Sequence, residues 1–221
     1  MAEAAHDLAV LSPEPTAELL QHPGLFRLQV PETEVAVAPV WSCRELAGRL
    51  CELSAGPASA TLTAAFGLVL DAQLAGEPVA WVTASAATFF PPDAAAGGVD
   101  LSALVVVRTG EARTAGRAAD VLLRSGAYGL VILDLGLGAV LSTPLQGRLV
   151  QLALKHDAAV VCLTEKPTDG ASLGSLVSLR CEVDRRRTDT GFAWSARAVK
   201  DKRRGPGWSC REVCRGPDGV H

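Results

Sequence analysis

From residue 50 onward the apolar positions of the chain switch between two rhythms. Short uninterrupted apolar runs alternate with longer stretches whose apolar residues recur every three or four positions, the spacing of one helix face. Leu50 to Ser54 reads as a short strand after Gly48. Ala60 to Ala75 carries apolar residues at 62, 65, 66, 69 and 70 and reads as a helix, with Gly76 where a C-terminal capping glycine belongs. Val79 to Thr83 and Leu104 to Val107 read as strands. Glu111 to Ser125 reads as a helix closed by Gly126, and Gly129 to Asp134 as an apolar strand ending in a carboxylate. Pro144 to His156 is a helix opened by proline, and Ala159 to Thr164 a further buried strand.

Fully apolar strands joined by helices predict an α/β fold: a mostly parallel central sheet with helices on both faces. The C-terminal ends of such strands share one edge, where ligands of these sheets bind. After about residue 176 the rhythm changes to LVSLRCEVDRRR, GFAWSARAVKDKRR and GWSCREV, alternating segments separated by turns. These predict antiparallel strands extending the sheet on its C-terminal side.

The pattern divides the chain in three. Residues 1–40 form an N-terminal arm with a short helix around Pro13 to Gln21, capped by Ser12 or Thr16. Residues 41–204 form the core domain, and residues 205–221 a C-terminal tail.

Composition narrows the class. Of 221 residues, 48% are apolar and 20% charged, ordinary for a chain with a real core. No apolar run approaches the roughly 20 residues of a membrane helix. The start, MAEAAHDL, lacks a basic and then apolar leader, so a soluble cytoplasmic protein is expected. The six cysteines are scattered, which favours reduced thiols; Cys51, Cys162 and Cys181 lie in apolar strand patterns and read as core. Cys210 and Cys214 form a close pair with nothing nearby to complete a zinc site.

Charge is uneven. Residues 180–221 hold 11 Lys+Arg against 6 Asp+Glu, a net of +5, which leaves −8 on residues 1–179. Arg185, Arg186 and Arg187 form one basic cluster, and Lys200, Lys202, Arg203 and Arg204 another, with Arg211 beyond. Pairing of the intervening segments as a hairpin is expected to bring the clusters together at one sheet edge, where they would meet DNA phosphates or an acidic partner segment. Trp194 and Trp208 are either core residues or platforms for bases, and the core is favoured. The stretch from Gly205 is the preferred docking region.

The decisive feature is a loop. After the first strand of such a sheet, triphosphate binding needs glycines for close backbone approach, a lysine for the β/γ-phosphates and a Ser/Thr for magnesium. Here the loop reads SAGPASATLT over residues 54–63, and no lysine precedes Lys155.

GRLCEL (48–53), Gly56-Pro57, GEPVAWVTA (76–84), GVDLSALVVV (98–107), AADVLLRSGAYGLVILD (118–134), AAVVCLTE (158–165), LRCEVDRR (179–186) and AVKDK (198–202) run in order. Together they resemble the core of RecA-type recombinases. The resemblance places the phosphate-loop lysine on Thr61 and the magnesium ligand on Leu62, or on Leu62 and Thr63 when aligned through Gly56-Pro57. It places the water-activating glutamate on Ser85, the metal-associated aspartate on Asp134 and the polar sensor near Glu165. Lys200 and Lys202 match lysines that face a neighbouring subunit's nucleotide. Without the lysine and glutamate neither cofactor binding nor catalysis is expected, and Asp134 is read as a structural strand-end carboxylate. The DNA-gripping loops are short here (135–143 and 166–170), and residues 1–40 show no match to the polymerising segment.

A shortened, degenerate RecA-like chain with this helix and strand pattern is similar to the ImuA family, found with damage-induced mutagenesis proteins. That resemblance implies an accessory, non-enzymatic role in SOS mutagenesis and translesion synthesis. It also implies contact with an ImuB-like polymerase homologue and with RecA, indirect contact with an error-prone replicative-type polymerase, possible DNA contact, and a nucleoid-associated site of action. The alternatives are a SulA-like division inhibitor acting on FtsZ, a DNA-binding recombinase regulator, and a weak ATPase with an atypical loop.

Overall fold

The computed structural model describes residues 41–55, 59–84, 89–167, 169–189 and 191–214. The N-terminal arm, Gly56, Pro57, Ser85 and residues 215–221 lie outside the described residues. In chain order the elements are α1 (Cys43–Leu46), β1 (Arg49–Ala55), α2 (Thr61–Leu74), β2 (Val79–Thr83), α3 (Pro91–Ala96), β3 (Leu104–Arg108), α4 (Ala112–Arg124), β4 (Leu130–Leu137), α5 (Thr143–His156), β5 (Ala159–Glu165), β6 (Leu179–Thr188), β7 (Gly191–Asp201) and β8 (Ser209–Cys214).

The strands form one sheet in the order β3-β2-β4-β5-β1-β6-β7-β8. β3 through β6 are parallel, and β7 and β8 add antiparallel. The expected mostly parallel sheet with antiparallel additions is therefore what the chain builds. Alternate residues of the central strands feed two cores. Cys51, Leu53, Trp81, Ile132 and Val161 pack with α2 on one face, while Val82, Val131, Leu133 and Val160 pack with Ala119 of α4 and Leu149 of α5 on the other. Two-sided burial explains why these strands read as continuous apolar runs.

β6 and β7 differ. Leu179, Cys181, Val183, Trp194, Ala196 and Ala198 all join the α2-side core, and Asp184, Arg186 and Arg197 on the other face are exposed. One-sided burial produces the alternation seen in the sequence. Within the stretch from Gly205, set apart as a tail, the expected antiparallel strand GWSCREV forms β8: Cys210 pairs with Ala196 and Cys214 with Phe192.

Glycine punctuates the helices as expected. Gly126 follows α4 at φ +69°, and a Cβ there would meet His156 Nδ1 at 2.8 Å, so the position is closed to side chains on two counts. No helix among the described residues is long and apolar enough to cross a membrane.

Candidate functional site: a cleft at the C-terminal edge of the sheet

The parallel strands end at a cleft of about 730 Å³. Its floor is formed by the ends of β1, β4 and β5, one wall by the first turn of α2, and the other by Arg185 of β6. Thr61, Leu62 and Thr63 all line it, so every residue that either alignment puts in the lysine and magnesium-ligand positions faces the same space. None carries a charge. Ser59 Oγ accepts the Thr61 amide at 3.2 Å and bonds the Thr61 hydroxyl at 2.8 Å, so one of the first-turn amides already has a partner.

The charged groups of the cleft are mixed. Asp134 is buried within β4, beside a register shift between Asp134 and Gly136; the strand continues three residues beyond it to Leu137, so it is not the strand-end carboxylate that the sequence predicts. Glu165 and Asp93 line the cleft and are exposed. Two cations contribute. Arg185 is exposed, with its guanidinium 5.8 Å from the Phe192 ring centre. Lys166 is directed to Glu52, with Nζ 2.5 Å from Oε1.

Glu52 sits at the centre of the molecule with no solvent exposure. Besides Lys166 it accepts the Thr164 hydroxyl at 2.9 Å, the Ser172 hydroxyl at 2.9 Å and the Leu173 amide at 2.8 Å. Burial alone raises its pKa, but Lys166, the Leu173 amide and the Thr164 hydroxyl together bring it below the usual carboxylate value. Glu52 thereby ties down the segment that follows β5.

Other cations hold the same segment. Arg180 donates through Nε to Ser54 Oγ at 3.0 Å and through its terminal nitrogens to the Gly170 and Pro167 carbonyls. Lys200 Nζ donates to the Gly174 and Ser175 carbonyls at 3.3 and 3.4 Å, and Lys202 Nζ to Ser175 at 2.7 Å. Gln146 of α5 donates to Leu173 from the other side. Residues 166–167 and 169–175 are thus a strap fastened across the sheet.

The two basic clusters do not come together. Antiparallel pairing matches residues equidistant from the turn: Arg187 faces Phe192 and Arg186 faces Ala193, whereas Lys200 faces Arg180. At ~3.3 Å per residue the clusters lie roughly 20 Å apart, at opposite ends of the hairpin. Arg185, Arg186 and Arg187 stand toward the cleft end. At the far end Arg203 donates to the Ala47 carbonyl at 3.0 Å and Arg204 pairs with Glu45 at 2.6 Å. Both tryptophans pack into the α2-side core, Trp208 only in part. Trp194 is buried, and Trp208 donates to Asp201, which also accepts from buried Arg49 at 2.6 Å. Arg211 is exposed on β8.

Sequence reading missed Glu52, Lys166, Arg180 and the Arg49–Asp201 pair. A signal for Glu52 existed: a carboxylate inside an otherwise apolar central strand requires buried partners.

No family model matches the chain, and no curated protein matches it in sequence. Among solved structures, the crystal structure of the RadB recombinase matches with a TM-score of 0.58 at 17% sequence identity, covering 75% of this chain and 87% of that one. At that identity the likeness is one of fold, and the chain has a RecA-like fold.

Proposed function

We propose that this RecA-like chain is a non-enzymatic adaptor of SOS-induced translesion DNA synthesis, binding an ImuB-like polymerase homologue and RecA without binding or hydrolysing ATP. The observation that carries this reading is the wall of the cleft. Where a triphosphate would need a lysine, the first turn of α2 offers Thr61, Leu62 and Thr63; a hydroxyl for magnesium is kept in the register that uses Thr63, and a cation in neither. Every charge-assisted bond that a phosphate fails to make there weakens binding by about 1.5–3 kcal/mol.

The remaining electrostatics support the same reading. Lys166 is neutralised by Glu52, and two exposed carboxylates, on Asp93 and Glu165, share the cleft with Arg185. Triphosphate entry would set like charges side by side. Fastened by Glu52, Arg180, Lys200 and Lys202, the segment that follows β5 is also poorly suited to opening around a DNA strand.

The test is co-purification of the full chain with the ImuB-like protein and with RecA in nucleotide-free buffer. The proposal expects retention that magnesium and ATP leave unchanged. Retention that requires ATP, or none with either protein, would overturn it.

A further inference from the structure

We propose that the outer edge of β8 is a docking strand for an extended segment of a partner protein in which a basic and an acidic residue stand next to each other. The inference rests on the adaptor reading for its biological setting and on the geometry of β8 for its chemistry. Among the described residues, β8 is the last strand of the sheet and pairs only with β7. The Ala198 amide donates to the Trp208 carbonyl at 2.9 Å, which fixes the phase of the ladder. Stepping by two, Cys210, Glu212 and Cys214 direct their backbone groups to β7, and Ser209, Arg211 and Val213 direct theirs outward.

The side chains follow the same alternation. Cys210 and Cys214 pack against the core beneath α2, so Arg211 and Val213 project from the opposite face, where Arg197 and Arg186 are also exposed. Val213 is 60% exposed. No proline interrupts the strand, and its pairing with β7 runs without a register shift, so its outward donors and acceptors form a regular row.

Charge selects the occupant. A second copy adding antiparallel about a two-fold axis must set same-face residues opposite each other, so the pairing centres on a residue. No centre within β8 sets either charge opposite its complement: centred on Arg211 it opposes two arginines and centred on Glu212 two glutamates, which is destabilising, and centred on Cys210 it sets Arg211 opposite Ser209 and Glu212 opposite Trp208. A different chain with an acid opposite Arg211 and a base opposite Glu212 turns both contacts attractive. An apolar residue opposite Val213 completes the match. Main-chain bonds then supply affinity and alternate side chains specificity.

The test follows amide resonances of the full chain on addition of the capped peptide Thr-Val-Lys-Glu-Thr-Thr, which reads antiparallel to β8. Shifts are expected at Ser209, Arg211 and Val213. Val213→Pro, which removes an outward amide without cutting the bonds to β7, and Arg211→Glu should each weaken binding about tenfold or more. The Arg211→Glu/Glu212→Lys double variant should prefer the peptide with Lys and Glu exchanged. No shift at millimolar peptide, or shifts at Arg211 with oligothymidylate but not with peptide, would overturn the docking strand. Peptide binding without retention of the ImuB-like protein or RecA would support the strand and refute the adaptor. Retention of either protein with a silent peptide would refute the strand alone.

Discussion

The Lys166 ammonium lies 2.5 Å from a carboxylate oxygen of Glu52, a side chain with no solvent exposure at the middle of the central strand. This contact commits a cation of the cleft to the interior of the protein. It also fastens the strap that follows β5, because the same carboxylate accepts from Ser172 and Leu173.

Glu52→Gln should therefore destabilise the fold by about 3 kcal/mol, since a buried pair broken from one side leaves an uncompensated charge. Urea unfolding at neutral pH reads this directly. A loss below about 0.5 kcal/mol, the range of ordinary surface changes, would contradict the clamp.

Acid should remove the same stabilisation. For both Glu52 and Asp201 burial pushes the pKa up, and this is outweighed: by Lys166, Leu173 and Thr164 for Glu52, and by the Arg203 amide, Trp208 and Arg49 for Asp201. Both carboxyls thus lie below their reference values of 4.5 and 3.8. A folded-state pKa below the unfolded one contributes stability that is present above the unfolded value and lost as pH falls through the folded one. Wild-type stability should begin to drop below about pH 4.5, and Glu52→Gln and Asp201→Asn should converge on wild type in acid. Urea midpoints across that range decide it; a constant gap between variant and wild type would contradict it.

The thiols should divide by position. Burial pushes Cys43 and Cys51 up to about 12, and Cys162 and Cys181 are likewise raised and buried. Cys210 and Cys214 are only partly covered. Alkylation of the native protein followed by mass mapping should label Cys210 and Cys214 first and the other four only on unfolding. Early labelling at Cys162 would contradict the packing of β5.

Much of this fold was legible because burial and sequence pattern share a cause. β1, β2, β4 and β5 are covered on both faces and read as apolar runs; β6 and β7 are covered on one and alternate. Their boundaries fell within about three residues of expectation. What pattern could not supply was register. The separation of Arg185–Arg187 from Lys200–Arg204 follows only from which residues face each other across the hairpin. The strap was hidden for a related reason: Glu52 meets Lys166 and Leu173 across more than a hundred residues. Short α3, built on Pro91 and Pro92, carries too few turns to show a period.

The cleft provides the most direct test of the account as a whole. Calorimetric titration of magnesium and ATP into the full chain should give no saturable heat at millimolar concentration, and Leu62→Lys should not be needed for partner retention. Saturable binding of ATP to the wild-type chain, weakened by substitution of Thr61 or Thr63, would contradict the central claim.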